Sequence, residues 1–312
     1  MMIDMKAKVV VFGGGGFIGS HVADELTARG CEVTIFDIKK SRYVQDKQKM
    51  VVGDMLDPEK VLDTIKGTDY VYNFAGVSDL QSATTMPVET IKYNILGTAN
   101  ILEACRQANV KRFVFASTIY VYSERGGFYR CSKQATELYI EEYKRKYGLD
   151  FTILRYGTVY GPRTDERNSI YRYLKQALVE KKIEWVGTGD ELREYIHVKD
   201  VAKLSVDILD GDYKNQHINI TGHHPTKFMD MLATINEILG GKVEIKLKKP
   251  EPGGSHYNMT PYSFSPKIGK KLVANPYTDL GQGLLEVLEE IQKQEHVNNG
   301  NSVHGDKDKE EK

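Results

Sequence analysis

The chain has 312 residues and a mass of 35.3 kDa, which suits one large domain with a smaller lobe. Lys plus Arg and Asp plus Glu both number 43, so the zero net charge disfavours a protein that neutralises nucleic-acid phosphates. No apolar run approaches the ~20 residues of a membrane span, and no signal-peptide pattern is present. With three sparse cysteines, these features predict a cytoplasmic protein with reduced thiols and no membrane or nucleic-acid partner.

The first two-thirds of the chain alternate short apolar runs with longer helical patterns, which predicts a parallel sheet covered by helices on both faces. The predicted strands are Lys8–Phe12, Glu32–Phe36, Met50–Val52, Tyr70–Asn73, Arg112–Ala116 and Phe151–Arg155. The predicted helices are Ile18–Arg29, Pro58–Ile65, Val88–Ala108 and Tyr129–Tyr147. This order is typical of a doubly wound, Rossmann-type α/β fold, which we assign to residues 1–165.

After about residue 160 the pattern becomes less regular, and we assign residues 166–294 mainly to a smaller C-terminal substrate-binding lobe that returns to the large domain near 190–215. The predicted elements are strands at Ile183–Val186, His217–Ile220 and Val243–Lys246, and helices at Phe228–Leu239 and Leu280–Gln294. Residues 295–312 are polar and charged without apolar periodicity, which predicts a disordered tail.

A glycine-rich segment joins the first strand to the first helix, with Gly13, Gly16 and Gly19 at its key positions and Phe17 and Ile18 opening the helix. Residues without a Cβ let the backbone approach a pyrophosphate, and the helix N-terminus supplies free N–H groups to that anion. A glycine turn of ordinary α/β structure is the alternative interpretation.

Asp37 ends the next strand, where a carboxylate accepts hydrogen bonds from the adenosine ribose of NAD and repels the 2′-phosphate of NADP. Lys39 follows closely and weakens this preference, although it is also typical of a solvated surface. Asp54 and Met55 follow the third strand, where they could cover the adenine; alternatively, Asp54 simply begins a turn before Pro58.

Tyr129 and Lys133 are four residues apart and therefore share one face of a helix. A free tyrosine has a pKa near ~10 and is a poor base at neutral pH. Lys133 and a positively charged nicotinamide ring could together lower that pKa enough for Tyr129 to remove a proton from a substrate hydroxyl.

Taken together, these segments resemble the extended short-chain dehydrogenases/reductases, in the nucleotide-sugar epimerase and dehydratase branch that includes UDP-glucose 4-epimerase-like enzymes. Besides the glycine segment GGGGFIGS (13–20), the motifs are NFAG (73–76), YNILGTANILEAC (93–105), FVFASTIYVYS (113–123), YRCSK (129–133), LRYGTVYGPR (154–163) and REYIHVKDVA (193–202). The resemblance covers residues 6–209 closely.

The resemblance implies a catalytic set of Thr118, Tyr129 and Lys133, with Thr118 preferred over Ser117 by the register of the motif. It extends the NAD site to Phe74, Ala75, Gly76, Ser78, Asn94, Tyr129, Lys133 and Tyr156. It places the nucleotide-activated sugar against Val77, Thr118, Ile119, Tyr120, Tyr129, Thr158 and Arg193. It also implies a homodimer through Val88–Ala108 and Tyr129–Tyr147, although these helix faces could equally be intramolecular core. No metal site is expected.

Two departures from the family pattern disfavour two of the reactions that family members catalyse. The 4,6-dehydratases carry Asp-Glu directly after the catalytic threonine, and the sugar-acid decarboxylases carry a glutamate at the second of those positions, whereas this chain has Ile119 and Tyr120. The remaining prediction is an NAD-dependent 4-epimerase that transiently oxidises a sugar hydroxyl to a ketone and returns the hydride. The alternatives are a 4-dehydrogenase or 4-ketosugar reductase on the same scaffold, or a non-catalytic NAD-sensing protein.

Further departures concern the nucleotide. Thr158 stands where the family usually has asparagine, and Glu251-Pro252-Gly253-Gly254 lacks an expected phosphate-binding arginine. The nucleotide and sugar could therefore differ from the common UDP-hexose.

Overall fold

A computed structural model describes residues 6–209, 211–248 and 259, all within one unit of the chain, Met1–Ser265. The predicted helix Leu280–Gln294, the predicted tail 295–312 and the segment 251–254 lie outside the described residues. The boundary between a nucleotide-binding domain and a smaller lobe at residue 165 stays a prediction.

Strands and helices alternate through most of the described chain. The strands are β1 (Lys8–Phe12), β2 (Glu32–Asp37), β3 (Lys49–Val52), β4 (Tyr70–Asn73), β5 (Arg112–Thr118), β6 (Phe151–Tyr156), β7 (Thr158–Tyr160), β8 (Lys182–Val186), β9 (Leu192–Arg193), β10 (Tyr195–His197), β11 (Gln216–Ile220), β12 (Thr226–Lys227) and β13 (Glu244–Lys248). The helices are α1 (Phe17–Ala28), α2 (Pro58–Ile65), α3 (Leu80–Thr85), α4 (Pro87–Thr90), α5 (Thr98–Gln107), α6 (Gly127–Tyr147), α7 (Ser169–Lys175), α8 (Val198–Asp207) and α9 (Phe228–Ile238). Two π-helical segments, Ile91–Gly97 and Gln176–Glu180, lie between α4 and α5 and after α7.

Seven strands form one parallel sheet in the order β11-β6-β5-β4-β1-β2-β3. The chain builds outward from β1 on one side through β3, then returns to β4 on the other side and continues outward to β11. The strand order therefore reverses between β1 and β4, and ligands of such sheets bind beyond the carboxyl ends of the strands at this point. The predicted doubly wound parallel sheet is confirmed.

The sheet is buried on both faces because alternate residues of its central strands enter different cores. Val9 and Val11 of β1 pack with α1 and α8, whereas Val10 and Phe12 pack with α2, α5 and α6. Pro58 opens α2, and the Asp57 carboxylate caps this helix by accepting from the Lys60 N–H at 3.0 Å. These local signals explain why the sequence predicted α2 with its observed bounds.

Two predicted elements differ from the structure. Val88–Ala108 is not one helix, because the π-helical segment Ile91–Gly97 separates α4 from α5. The strand predicted at His217–Ile220 does not belong to the smaller lobe, because β11 pairs with β6 at the edge of the main sheet. Four of its five residues are exposed or partly buried, which is typical of an edge strand, and its sequence gave no indication of its partner.

Among the described residues, three two-stranded sheets accompany the main sheet; they are β10-β7, β12-β9 and β13-β8. A third core, separate from the two cores of the main sheet, lies around α7, β8 and α9. Its members are Tyr173, Ala177, Ile183, Phe228, Leu232, Ile235 and Val243. Within residues 6–209 and 211–248, no helix has both the length and the apolar character needed to cross a bilayer.

Candidate active site

The glycine-rich segment makes a tight turn at the carboxyl end of β1. Gly13 has a φ of +69°, and a Cβ added there would lie 2.6 Å from the Ala75 nitrogen. A Cβ on Gly19 would lie 2.3 Å from the Gly13 carbonyl oxygen, whereas one on Gly16 would meet only that same oxygen, at 3.3 Å. Gly13 and Gly19 are therefore required for close backbone packing, and this packing brings the N-terminus of α1 to the edge of the sheet. Phe17 and Ile18 occupy the first turn of α1 and are partly buried.

Asp37 lies at the carboxyl end of β2 beside this turn. One of its carboxylate oxygens accepts the Gly15 N–H at 3.0 Å, so the acidic residue also holds the glycine segment. A partly buried carboxylate at this position fits the predicted ribose contact. Lys39, two residues further, is exposed in the bend after β2.

The segment after β4 is held from behind by Asn94, which is almost fully buried. Its side-chain oxygen accepts the Val77 N–H at 2.7 Å, and its amide donates to the Val77 carbonyl and the Ser132 hydroxyl, both at 2.9 Å. Gly76 has a φ of +139°, and a Cβ there would lie 2.4 Å from the Asn94 side-chain oxygen. Asn94 thus fixes the loop that follows β4 against α6.

The π-helical segment Ile91–Gly97 gives Asn94 a second role through its main chain. The Asn94 carbonyl accepts hydrogen bonds from the Thr98 hydroxyl at 2.8 Å and the Thr136 hydroxyl at 3.0 Å. π-Helical turns release backbone groups from the regular pattern and are frequent at functional sites. Here the released carbonyl joins α5 to α6 directly behind the loop.

The same loop carries Phe74, Ala75, Gly76 and Ser78. The Phe74 ring stacks on Tyr72 and Tyr156 at centroid distances of 6.1 and 6.3 Å, and the Ala75 N–H donates to Asn73 at 2.9 Å. Gly76 and Ser78 are exposed. The backbone of this loop therefore faces outward next to the glycine turn, as a cofactor-binding segment requires.

The predicted catalytic residues come together where β5 ends against α6. The Thr118 hydroxyl is hydrogen-bonded to the Tyr129 hydroxyl and also accepts the Tyr120 N–H at 3.3 Å. Lys133 is buried one turn after Tyr129, with its ammonium donating to the Ala116 carbonyl at 2.7 Å. The ammonium lies 5.8 Å from the centre of the Tyr129 ring.

The protein's own groups do not acidify Tyr129. Although Tyr129 as a whole is only partly buried, burial around its phenol raises its pKa to about 12, and the hydrogen bond from Thr118 opposes this rise. Burial also lowers the pKa of Lys133 to about 8, while the charge of Glu137 opposes that fall. The expected lowering of the Tyr129 pKa by Lys133 together with the nicotinamide ring therefore depends on the positive charge that the bound cofactor would supply.

Ser117, the alternative to Thr118, is used elsewhere in the fold. Its hydroxyl donates to the buried Glu137, which forms a two-point ion pair with Arg155. This arrangement keeps Ser117 occupied and leaves Thr118 as the hydroxyl beside Tyr129, which supports the predicted assignment.

The turn after Thr118 carries the substrate residues predicted at Ile119 and Tyr120. Ile119 is buried, and the Tyr120 ring meets the Tyr129 ring edge-on at 6.4 Å. Two residues of α6 hold this turn: Gln134 donates to the Val121 carbonyl and Arg130 to the Ser123 carbonyl, each at 2.9 Å. The positions beside the catalytic pair are thus apolar or aromatic, and they supply no carboxylate.

The side chains of three predicted cofactor residues make contacts within the fold. Met55 is buried against Gly97, where an added Cβ would lie 2.7 Å from its terminal carbon. The Tyr156 ring is also buried, and its hydroxyl is hydrogen-bonded to Ser205 at 2.7 Å. The predicted positions of Met55 at the adenine and of Tyr156 beside the nicotinamide stay predictions. Asp54 accepts the Leu56 N–H at 2.9 Å, which is the turn role given as its alternative.

The two remaining substrate residues lie on the small two-stranded sheets. Thr158 is partly buried in β7, opposite Tyr195 of β10. Arg193 is buried in β9 and donates to the Leu192 carbonyl at 2.9 Å. Their roles at a diphosphate stay predictions.

Sequence analysis missed the polar side chains that support the cluster from behind. These are Thr98, Ser132, Thr136, Glu137 and Arg155. Glu137 could have been found, because it continues the four-residue spacing of Tyr129 and Lys133. The threonine and serine contacts depend on the π-helical segment, which the pattern of apolar residues did not indicate.

Comparison with known proteins identifies the same architecture. The chain is 30% identical over 303 residues to a Methanocaldococcus jannaschii protein with a provisional name as a UDP-glucose 4-epimerase, covering 90% of this chain and 97% of that protein. The structure of a UDP-glucose 4-epimerase from Thermotoga maritima with UDP-glucose is 27% identical with a TM-score of 0.76, covering 83% of this chain and 90% of that one.

The Thermus thermophilus UDP-glucose 4-epimerase in complex with NAD is 29% identical with a TM-score of 0.73, covering 84% of this chain and 95% of that one. Residues 9–221 match the profile described as the NAD dependent epimerase/dehydratase family, and the chain therefore belongs to that family, as the sequence motifs predicted.

Proposed function

We propose that this protein is an NAD-dependent nucleotide-sugar 4-epimerase, which converts a C4 hydroxyl to a ketone and reduces it again on the opposite face. The observation that carries the proposal is the cluster of Thr118, Tyr129 and Lys133 with no carboxylate at Ile119 or Tyr120. In this family, dehydration or decarboxylation needs a carboxylate after the catalytic threonine, whereas 4-epimerisation needs only proton and hydride transfer at one carbon.

The cofactor is NAD, as the family description states. The tight approach of Gly13 to Ala75 and the exposed N-terminus of α1 fit a pyrophosphate, and Asp37 fits an unphosphorylated ribose. When bound, NAD⁺ supplies the hydride acceptor and a positive charge. The outward-facing loop at Gly76 would hold its nicotinamide half.

Side chains of this protein carry out the proton transfer. Tyr129 takes it from the sugar hydroxyl and later returns it, while Thr118 orients the phenol and the substrate oxygen. Lys133 provides a positive charge one turn below, directed by the Ala116 carbonyl. Burial strengthens the effect of each of these charges, because the effective dielectric constant is lower than in water.

The substrate is a hexose activated by a nucleoside diphosphate, and UDP-glucose is the first candidate because the compared epimerases are named for it. The test is incubation of the purified protein and NAD⁺ with UDP-, GDP-, CDP- and dTDP-hexoses, with products identified by proton NMR. We expect the 4-epimer of one substrate, without net accumulation of reduced cofactor.

The matched variants are Tyr129→Phe and Tyr139→Phe, since Tyr139 is an exposed tyrosine on the same helix. Loss of the Tyr129 hydroxyl should lower kcat by roughly 10²–10⁴-fold, the range for general acid–base groups. Tyr139→Phe should retain activity. A keto product with accumulating reduced cofactor would instead identify a one-way dehydrogenase, and equal activity of both variants would contradict the proposal.

A homodimer and a cytoplasmic location complete the proposed setting. Large apolar side chains are exposed on α4, the π-helical segment and α6; they are Val88, Ile91, Leu96, Phe128 and Leu138. In the described residues the three cysteines are free thiols, which fits a reducing compartment. Sedimentation velocity should show a dimer that Leu138→Glu dissociates and Leu178→Glu, at an exposed site of the smaller lobe, does not. A monomeric wild type would contradict the dimer.

A further inference from the structure

A buried carboxylate lies on α6 below the catalytic pair. Glu137 follows Lys133 by the same four residues that separate Lys133 from Tyr129, so the three side chains share one helix face. Glu137 is only 6% exposed, although it has no place in the proton transfer described above. A charged group is rarely buried to this extent without a partner or a role.

Each of the three α6 side chains contacts a different residue at the end of β5. The contacts are Lys133 to the Ala116 carbonyl at 2.7 Å, Ser117 to the Glu137 carboxylate, and Thr118 to the Tyr129 hydroxyl. Glu137 therefore fixes the middle residue of the strand end that carries the catalytic threonine. Its position determines how α6 sits against β5 at the reactive site.

Arg155 at the end of β6 holds the carboxylate in place. Its Nε donates to one Glu137 oxygen at 3.1 Å and its Nη2 to the other at 2.6 Å. The same guanidinium contacts the Tyr122 hydroxyl, and that hydroxyl donates to Asn219 of β11 at 3.2 Å. The Glu137–Arg155 ion pair thus connects α6 with β6 and, through Tyr122, with β11 and the turn that follows Thr118.

The ammonium of Lys133 depends on these surroundings for its charge. The groups around it are Tyr129 and Glu137 from α6, the Phe115 ring and the Ala116 carbonyl from β5, and Arg155 of β6 behind Glu137. Burial lowers the Lys133 pKa to about 8, and the Glu137 charge is the interaction that raises it. Without that carboxylate, Lys133 would lose its proton at a still lower pH.

We propose that Glu137 is a positioning residue: it keeps Lys133 charged and, through Ser117, fixes the strand end whose Ala116 carbonyl directs the ammonium, with Arg155 fixing the carboxylate. This role rests on the proposed function, because a charged Lys133 serves the proton transfer at Tyr129. The role concerns the support of the catalytic pair, and Glu137 itself does not touch the substrate.

The first test is direct and needs no substrate. Lysines labelled with ¹³C at the ε-carbon are titrated by NMR, and the Lys133 resonance is identified by its loss in Lys133→Met. We expect Glu137→Gln to lower the Lys133 midpoint by about one pH unit, a tenfold change in its acid dissociation constant. Glu142→Gln, the same change on the solvent side of α6, should leave the midpoint unchanged. An unchanged midpoint in Glu137→Gln would overturn the proposal.

The second test follows kcat against pH with the sugar nucleotide that the wild type converts. The alkaline fall of kcat should move by about one unit to lower pH in Glu137→Gln, while KM stays within about twofold. Because Glu137→Gln leaves Arg155 buried and unpaired, the double variant Glu137→Gln/Arg155→Met serves as the second variant. A displacement in the same direction but smaller is expected, because this variant also removes a positive charge near Lys133.

The two tests separate the two proposals. If the wild type converts no sugar nucleotide, the proposed function is wrong, and the NMR midpoint still decides whether Glu137 sustains the Lys133 charge. If the enzyme is active and the midpoint moves but the kcat profile does not, the positioning role in the reaction is wrong.

Discussion

Replacement of Asn94 by alanine would remove the side chain that supports the loop after β4. Three hydrogen bonds are lost, at 2.7, 2.9 and 2.9 Å, to both backbone groups of Val77 and to the Ser132 hydroxyl. A buried hydrogen bond contributes about 1 kcal/mol to stability, so three contribute about 3 kcal/mol. Since Val77 is partly exposed, water can replace some of this, and we expect a loss of about 2–4 kcal/mol.

The assay is urea denaturation together with isothermal titration of NAD⁺. Without the Asn94 hydrogen bonds, part of the free energy of NAD⁺ binding is needed to order the loop at Gly76. We expect the dissociation constant for NAD⁺ to rise about tenfold, equivalent to about 1.4 kcal/mol. Asn100→Ala is the matched control, because that side chain gives one hydrogen bond, 3.1 Å long, to the Met55 carbonyl. It should cost about 1 kcal/mol and leave NAD⁺ affinity unchanged.

Equal stability losses in Asn94→Ala and Asn100→Ala, with the same NAD⁺ affinity as the wild type, would refute this reasoning. That outcome would mean that the loop is held by its own backbone and that the Asn94 contacts contribute no more than a single surface amide.

Two further changes test the glycine turn and an acid-sensitive ion pair. Gly19→Ala should unfold the nucleotide site, because its Cβ would lie 2.3 Å from the Gly13 carbonyl oxygen. Gly16→Ala should fold, because its Cβ would lie 3.3 Å from the same oxygen. Circular dichroism and NAD⁺ titration distinguish the two variants. Asp150 contacts Lys144 and Lys214; despite burial, which raises its pKa, these contacts lower that pKa to about 2. Because this folded-state pKa is below the unfolded value near ~3.9, the stabilisation of about 2 kcal/mol is complete above pH ~4 and is lost as the pH falls toward 2. Asp150→Asn should therefore be less stable than the wild type in urea at pH 7 and show a smaller difference near pH 2; a constant difference would contradict the assignment.

The sequence predicted the sheet because its central strands are continuously apolar and its breaks carry strong turn signals. β1 and α2 have their predicted bounds, since a buried run and a capped proline define them without help from distant residues. It also predicted Thr118, Tyr129 and Lys133, which the structure places together. The four-residue spacing indicated that Tyr129 and Lys133 share a helix face, and the family resemblance indicated Thr118.

The remaining features of the fold and of the site depend on tertiary contacts, which local sequence patterns do not indicate. The buried contacts of Met55 with Gly97 and of Tyr156 with Ser205 join distant parts of the chain, and no local pattern indicates them. The partner of β11 is set by tertiary packing rather than by its composition. The four-residue spacing could have indicated Glu137, but its ion pair with Arg155 of β6 is a tertiary contact that spacing does not indicate.

The π-helical segment has one consequence for how this protein tolerates length changes. A single-residue deletion within Ile91–Gly97 would restore regular α-helical bonding and so add local regularity to the backbone. It would also change the angle at which residues of the segment, including Asn94, project from the helix axis, because each α-helical residue turns by about 100° and each π-helical residue by less. Asn94 could then keep its contacts with α5 or with the loop after β4, but not with both. A more regular helix would therefore support this loop less well.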